Sequence, residues 1–121
     1  MVDWIQIVIQ EEQKQLQSIR FIFCQDDFLH QINVAYLNHD TLTDVITFPY
    51  SNPEDAIDGE IYISIDRIKE NAAAYQVSMQ TELYRIMVHG VLHLCGYDDK
   101  ETESKKKMSG KENFYLEKLI L

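Results

Sequence analysis

The spacing of apolar residues along the chain predicts five helices and three strands. Helices are expected where apolar side chains recur every three or four positions among helix-favouring residues, over 4–17, 26–37, 66–76, 78–95 and 102–121. Strands are expected over the short β-branched and aromatic runs 19–24, 43–50 and 59–65. Pro49 favours a sheet edge or a strand end for the second run, and Asp66 is the expected N-cap of the third helix.

This order of elements predicts an α+β fold, in which a small mixed β-sheet packs against helices. The loop between strands 43–50 and 59–65 is of moderate length, so an antiparallel pair is expected there. The helix over 78–95, which begins at Ser78 or Thr81 and stops at Gly96, is apolar enough to be central. With 121 residues and no repeat or linker, the chain is expected to form a single domain over 1–121.

Composition excludes several classes of protein. No apolar run is long enough to cross a bilayer and no leader peptide opens the chain, so a cytoplasmic protein without a membrane partner is expected. Cys24 and Cys95 lie far apart in apolar segments, which suits reduced thiols. A net charge of −9 argues against an extended basic face for nucleic acid, and no DNA partner is expected. The late lysines alternate with Glu101, Glu103, Glu112 and Glu117, which is typical of a solvated helix face, although a local binding patch stays open.

The stretch IMVHGVLHLCGYDDKE, residues 86–101, carries the candidate chemistry. His89 and His93 are four residues apart, so on a helix they lie on one face and can point at one metal ion. Gly96 permits the turn that ends the helix, and Asp98 and Asp99 follow within reach as a third ligand. His30 and His39, by contrast, are expected to be ordinary hydrogen-bonded histidines.

The segment HGVLHLCGYDD closely resembles the H-G-x-L-H-L-x-G-Y-D-H signature of the YbeY family of bacterial single-strand-specific metallo-endoribonucleases. LTDVITFPY, GEIYIS and INVAYLNHD resemble three further family segments, so the resemblance covers residues 32–99. It implies a zinc-dependent endoribonuclease that acts in 16S ribosomal RNA 3′-end maturation and ribosome quality control. Ribosomal RNA and the small ribosomal subunit are the implied partners.

Carried onto this chain, the resemblance makes His89 and His93 zinc ligands and places Asp99 where the family has its third histidine. The carboxylate could change the metal preference, so manganese, nickel or iron stays open beside one Zn²⁺ per chain. Leu37 stands where the family usually has an arginine, and Arg85 is the candidate catalytic cation in its place. An ion pair of Arg85 with Glu82 or another carboxylate is the alternative.

Five further residues complete the sequence-based hypothesis. Asp44 is expected either to hydrogen-bond a ligand histidine or to cap a turn. Gly90 stands where zinc proteases of the H-E-x-x-H type carry their glutamate, which argues against peptide hydrolysis and suggests that space is needed beside the metal. The aromatics Tyr97, Tyr50 and Phe48 could stack unpaired bases or simply pack. The competing function is a ribosome-binding assembly factor whose metal is structural or weakly catalytic.

Overall fold

The computed structural model describes residues 2–37, 43–52 and 54–119, and His39 and the last two residues of the predicted final helix lie outside these ranges. The elements occur in the predicted order: α1 (Val2–Glu11), β1 (Leu16–Cys24), α2 (Asp26–Leu37), β2 (Val45–Pro49), β3 (Ile57–Ser64), α3 (Ile65–Tyr75), α4 (Met79–Leu94) and α5 (Thr102–Glu117). The α+β class is therefore confirmed. The single domain over 1–121 stays a prediction.

The described strands form a mixed sheet in the order β1-β3-β2. β1 runs parallel to β3, and β2 pairs with β3 in the antiparallel sense, with Val45 opposite Ile63 and Pro49 opposite Gly59. The antiparallel pair and the edge position of Pro49 are both as predicted. An edge strand accommodates proline because only one of its sides carries ladder hydrogen bonds.

The first helix is shorter than its sequence predicts. α1 ends at Glu11, and Gln13 adopts a positive φ of 60° in the turn that follows. The backbone N–H of Ile57 donates to the carbonyl of Gln15 at 2.7 Å, and Leu16 pairs with Ile57. Pairing with β3 thus draws this segment into the sheet, against its local helix propensity.

Helix α3 begins at a different cap from the predicted one. The backbone N–H of Arg67 donates to the hydroxyl of Ser64 at 3.2 Å, so Ser64 is the N-cap. Asp66 lies in the first turn, where its carboxylate accepts a hydrogen bond from the backbone N–H of Asp26 at 3.0 Å. The negative charge of Asp66 still suits the first turn of a helix. The hydroxyl of Ser64, however, is the group that accepts the hydrogen bond from the backbone N–H of Arg67.

Helix α4 is central, as its apolar character predicts, and it packs closely on β3. It begins after Ser78, whose hydroxyl accepts from the N–H of Thr81 at 3.0 Å. A Cβ added at Gly90 would lie 2.8 Å from Cγ2 of Ile61. Gly90 therefore makes room for the sheet, and the expectation that it leaves space beside a metal is wrong.

Within the described ranges, no helix is both long and apolar enough to span a membrane. The thiols of Cys24 and Cys95 are free.

Candidate metal centre

The histidine pair lies on the exposed flank of α4. His89 and His93 are each partly buried, with side-chain exposures of 18% and 24%. Their rings stand edge to face with centroids 4.6 Å apart, and the two Nε2 atoms are separated by 3.0 Å. The helical spacing therefore brings the same ring nitrogen of both residues to one point, as the sequence predicts.

A tight turn after α4 brings a carboxylate to the same point. Gly96 has a φ of 107°, which favours glycine, and the N–H of Tyr97 returns to the carbonyl of Leu92 at 3.1 Å. Oδ2 of Asp99 then lies 3.4 Å from Nε2 of His89 and 3.7 Å from Nε2 of His93. Asp98 instead accepts a hydrogen bond from the N–H of Lys100 and is exposed. Of the two candidate carboxylates, Asp99 is the one beside the histidines.

The three donor atoms have the spacing that a small divalent ion requires. The centre of the triangle they form lies about 2.0 Å from each atom, close to the usual Zn–N and Zn–O bond lengths. Two imidazoles and one carboxylate are also a ligand set found in catalytic zinc sites. The residues present therefore fit a Zn²⁺ ion or a similar transition metal.

Both imidazoles are oriented from behind by their other ring nitrogen. Nδ1 of His89 is 2.6 Å from Oε2 of Glu112, and Nδ1 of His93 is 2.9 Å from the carbonyl oxygen of Tyr97. When each Nδ1–H donates to its acceptor, each Nε2 carries no proton and can bind a metal ion. Such contacts fix the tautomer and the orientation of metal-binding histidines.

Glu112 is the functional residue that the sequence analysis misses. Its alternation with lysines predicts a solvated helix face, but Glu112 is only 6% exposed. Met108, Glu112 and Tyr115 are the buried residues of α5, at spacings of four and three. A carboxylate within this apolar stripe was the available signal, because buried carboxylates need a partner.

Lys111, one of the late lysines, has partners within the fold. The ammonium of Lys111 donates to Oε2 of Glu12 at 3.1 Å and lies 5.8 Å from the ring centre of Tyr97. Lys105, Lys106 and Lys107 are exposed, as expected for a solvated face. The alternative of a local binding patch is not supported at Lys111, because its ammonium group is already paired with Glu12.

The protonation of the two histidines differs because their neighbours differ. Burial lowers the pKa of His89, but the hydrogen bond and charge of Glu112, with Asp99 and Asp44, raise it above its ordinary value overall. Burial and the adjacent His89 lower the pKa of His93. A proton added to the pair is therefore more favourable on His89, which lies between Glu112 and Asp99, than on His93.

Arg85 lies on the side of His89 that faces away from Asp99. Its Nη1 donates to Oε1 of Glu112 at 3.0 Å, and its Nη2 donates to Oδ1 of Asn113 at 2.7 Å. The carboxylate ion pair was the alternative in the sequence analysis, here with Glu112. The role of Arg85 as a catalytic cation stays a prediction, and its contacts favour an effect through Glu112.

Asp44 lines the same cavity as the histidines, but its hydrogen-bond partner differs from those of Glu112. Its carboxylate accepts a hydrogen bond from Nδ2 of Asn71 at 3.4 Å, and the same Nδ2 lies 3.4 Å from Oε2 of Glu82. Burial raises the pKa of Asp44 above its ordinary value, against the opposing charge of His89. Asp44 is therefore a largely buried carboxyl group of the cavity wall, held by Asn71.

The three donor atoms open into a cavity of about 380 Å³ between α4, α2 and β2. Its wall is formed by Asn33, Leu37, Thr43, Asp44, Val45, Ile46, Thr47, His89, His93 and Asp99. Among these described lining residues there is neither a lysine nor an arginine. His30 of α2, expected to be an ordinary histidine, is not part of this wall.

The chain is similar to a family of proteins that carry the name endoribonuclease. The family described as Endoribonuclease YbeY matches residues 1–120. An Endoribonuclease YbeY of Amoebophilus asiaticus is 53% identical over 96% of this chain and 79% of its own length. One from Flavobacterium johnsoniae is 47% identical over 92% of this chain and 79% of its own.

A solved structure supports the same relationship. The solution structure of a protein from Thermotoga maritima is similar to this chain with a TM-score of 0.70 and 29% identity. The similarity covers 96% of this chain and 76% of that one. From the family match and the sequence identities, the chain belongs to the YbeY endoribonuclease family.

Proposed function

We propose that this protein is a metal-dependent endoribonuclease that cleaves single-stranded RNA, with His89, His93 and Asp99 as the ligands of one divalent ion. Zinc is the first candidate, and other divalent transition metals suit the same ligands. The observation that carries the proposal is the triangle of two Nε2 atoms and one carboxylate oxygen at a cavity wall. Family membership supplies the endoribonuclease class.

A bound ion would supply a Lewis acid that polarises a phosphoryl oxygen and lowers the pKa of a water or a ribose 2′-hydroxyl. The protein's own residues then have positioning roles. Glu112 and the carbonyl of Tyr97 hold the two imidazoles by their Nδ1 atoms. Arg85 holds Glu112 through Oε1 and leaves Oε2 for His89, so we propose that it acts through Glu112.

The residue between the histidines supports RNA over peptide as the substrate. A zinc protease of the H-E-x-x-H type carries a glutamate general base after its first histidine. This chain has Gly90 there, and a side chain at that position would collide with Ile61. A glutamate general base therefore has no room at this position of the helix.

We further propose ribosomal RNA as the substrate, in 16S 3′-end maturation and ribosome quality control in the cytoplasm, with the small ribosomal subunit as partner. This follows from the family resemblance alone. The second candidate is a ribosome-binding assembly factor with a structural or weakly catalytic metal. The absence of lysine and arginine among the described residues of the cavity wall favours it, because phosphate charge would have few direct partners there.

The deciding experiment measures metal content and RNA cleavage on the same tag-free preparations. Wild type should contain about one transition metal ion per chain by mass spectrometry. Asp99→Ala and His93→Ala should lose both the metal and the cleavage of a single-stranded RNA while the circular dichroism spectrum is retained. Asp98→Ala is the matched control, because its carboxylate is adjacent in sequence but outside the triangle, and it should behave as wild type.

Two outcomes would overturn parts of the proposal. A wild type without metal, or an Asp99→Ala protein with its full metal content, would refute the three-ligand site. Metal-loaded wild type that cleaves no RNA, with Asp99→Ala unfolded, would favour the assembly factor with a structural metal.

A further inference from the structure

A second cavity, walled mainly by aromatic rings, lies beside the metal cavity. Its volume is about 280 Å³, and it is lined by Ile32, Tyr36, Phe48, Tyr50, Glu60 and Tyr62. Tyr36 and Tyr50 are 74% and 55% exposed. Aromatic side chains grouped at a cavity and open to solvent are typical of surfaces that bind a ligand.

The rings of this aromatic cavity do not stack on one another. Phe48 meets Tyr36 edge to face at a centroid distance of 6.2 Å and Tyr62 edge to face at 5.6 Å. With neighbouring planes nearly perpendicular and Tyr36 largely in solvent, a ring face of Tyr36 stays open. A flat π system can stack there while its edge contacts a neighbouring ring.

The aromatic cavity neighbours the metal cavity, because adjacent residues of α2 and of β2 line the two. Asn33, Leu37 and Thr47 line the metal cavity. The residues next to them in the chain, Ile32, Tyr36 and Phe48, line the aromatic cavity. We therefore expect that a strand with a phosphate at the histidines can place a nearby base in the aromatic cavity.

The chemistry of the wall suits an uncharged base better than a phosphate. Its carboxylate, Glu60, accepts hydrogen bonds from the hydroxyl of Tyr50 at 2.6 Å and from Nε of Arg20 at 3.0 Å. Neither lysine nor arginine is among the described residues of this wall. An anion would find no cationic side chain within the cavity, whereas a base needs only a π surface.

We propose that the aromatic cavity binds an unpaired nucleobase of the RNA strand by stacking on Tyr36, next to the nucleotide at the metal cavity. This inference rests on the proposed function and names a subsite for it. Stacking is tolerant of base identity, since every base has a π face. It also requires an unpaired base, which gives a physical reason for acting on single strands.

The test compares the affinity of Tyr36 variants for two short single-stranded probes. One probe is a fluorescent 2′-O-methyl oligouridylate, and the other is the same chain with abasic sugars. Wild type should bind the base-containing probe more tightly, and Tyr36→Ala should weaken that binding about tenfold without changing the binding of the abasic probe. Tyr36→Phe should bind as wild type, because stacking uses the ring and not the hydroxyl.

Tyr75→Ala is the matched control, because Tyr75 is 66% exposed on α3 and lines neither cavity. It should bind as wild type. The tenfold ratio between wild type and Tyr36→Ala should also persist at higher salt, since stacking is not a phosphate contact.

Failure of the inference and failure of the proposed function are distinguishable. If wild type cleaves RNA but Tyr36→Ala retains its affinity, the subsite is refuted and the aromatic face is left for a protein partner. If wild type neither binds nor cleaves single-stranded RNA, both the subsite and the proposed function are refuted.

Discussion

Gly90→Ala tests whether the glycine between the two histidines serves the packing of α4 on the sheet. The new methyl group would lie 2.8 Å from Cγ2 and 3.0 Å from Cδ1 of Ile61, which is fully buried. Overpacking of this kind costs about 1–3 kcal/mol of unfolding free energy. The higher helix propensity of alanine returns about 1 kcal/mol. Gly90→Ala should therefore be destabilising by about 0–2 kcal/mol.

Gly110→Ala is the matched control on α5. A Cβ at Gly110 has no neighbouring atom within 4 Å, so only helix propensity acts there. It should raise the free energy of unfolding by about 0.5–1 kcal/mol. The two glycine variants are compared by urea unfolding followed by circular dichroism, with the same metal content in each sample.

The same substitution in an Ile61→Ala protein provides a sharper test, because there its effect on the free energy of unfolding should have the opposite sign. Ile61→Ala removes the atoms that Gly90→Ala would meet and should cost about 2–5 kcal/mol on its own. In that background, Gly90→Ala fills part of the vacated space and should stabilise the protein. If Gly90→Ala stabilises wild type as much as Gly110→Ala does, the packing explanation of Gly90 is refuted.

Three further predictions follow from buried polar contacts. Glu112→Gln should lower the metal affinity about 10- to 100-fold, measured by competition with a chelator, because His89 loses an anionic acceptor at Nδ1. Glu12→Gln should flatten the loss of stability in acid. Burial raises the pKa of Glu12, but hydrogen bonds from two tyrosines and a lysine lower it overall below 4.5, so its stabilisation is present above that pH and lost as the pH falls further. Ser64→Ala should cost about 1–3 kcal/mol in urea unfolding, because Ser64 caps α3 and donates to Asp26 at 2.6 Å.

Each of these three has a contrary outcome. Unchanged metal affinity in Glu112→Gln would show that the carboxylate does not orient the imidazole. Equal acid sensitivity of wild type and Glu12→Gln would place the titrating group elsewhere. A Ser64→Ala protein as stable as wild type would mean that water replaces both contacts of the hydroxyl.

Local patterns in the sequence determined most of the elements and the first two donor atoms of the site. Apolar periodicity indicates α4, and a four-residue spacing places two side chains on one helix face whatever the helix packs against. Gly96 likewise predicts the turn that brings Asp99 back to the histidines, because few other residues adopt its positive φ. These features depend on residues within one or two turns of each other.

Only the tertiary structure decided which distant groups complete the site. Glu112 reaches His89 across 23 residues of chain, and Arg85 reaches Glu112 across 27. Leu16 leaves its predicted helix because its backbone pairs with β3. Gly90 faces Ile61 and not the metal cavity. Local propensities and spacings carry no information about which elements meet, whereas burial and long-range hydrogen bonds exist only once the chain has folded.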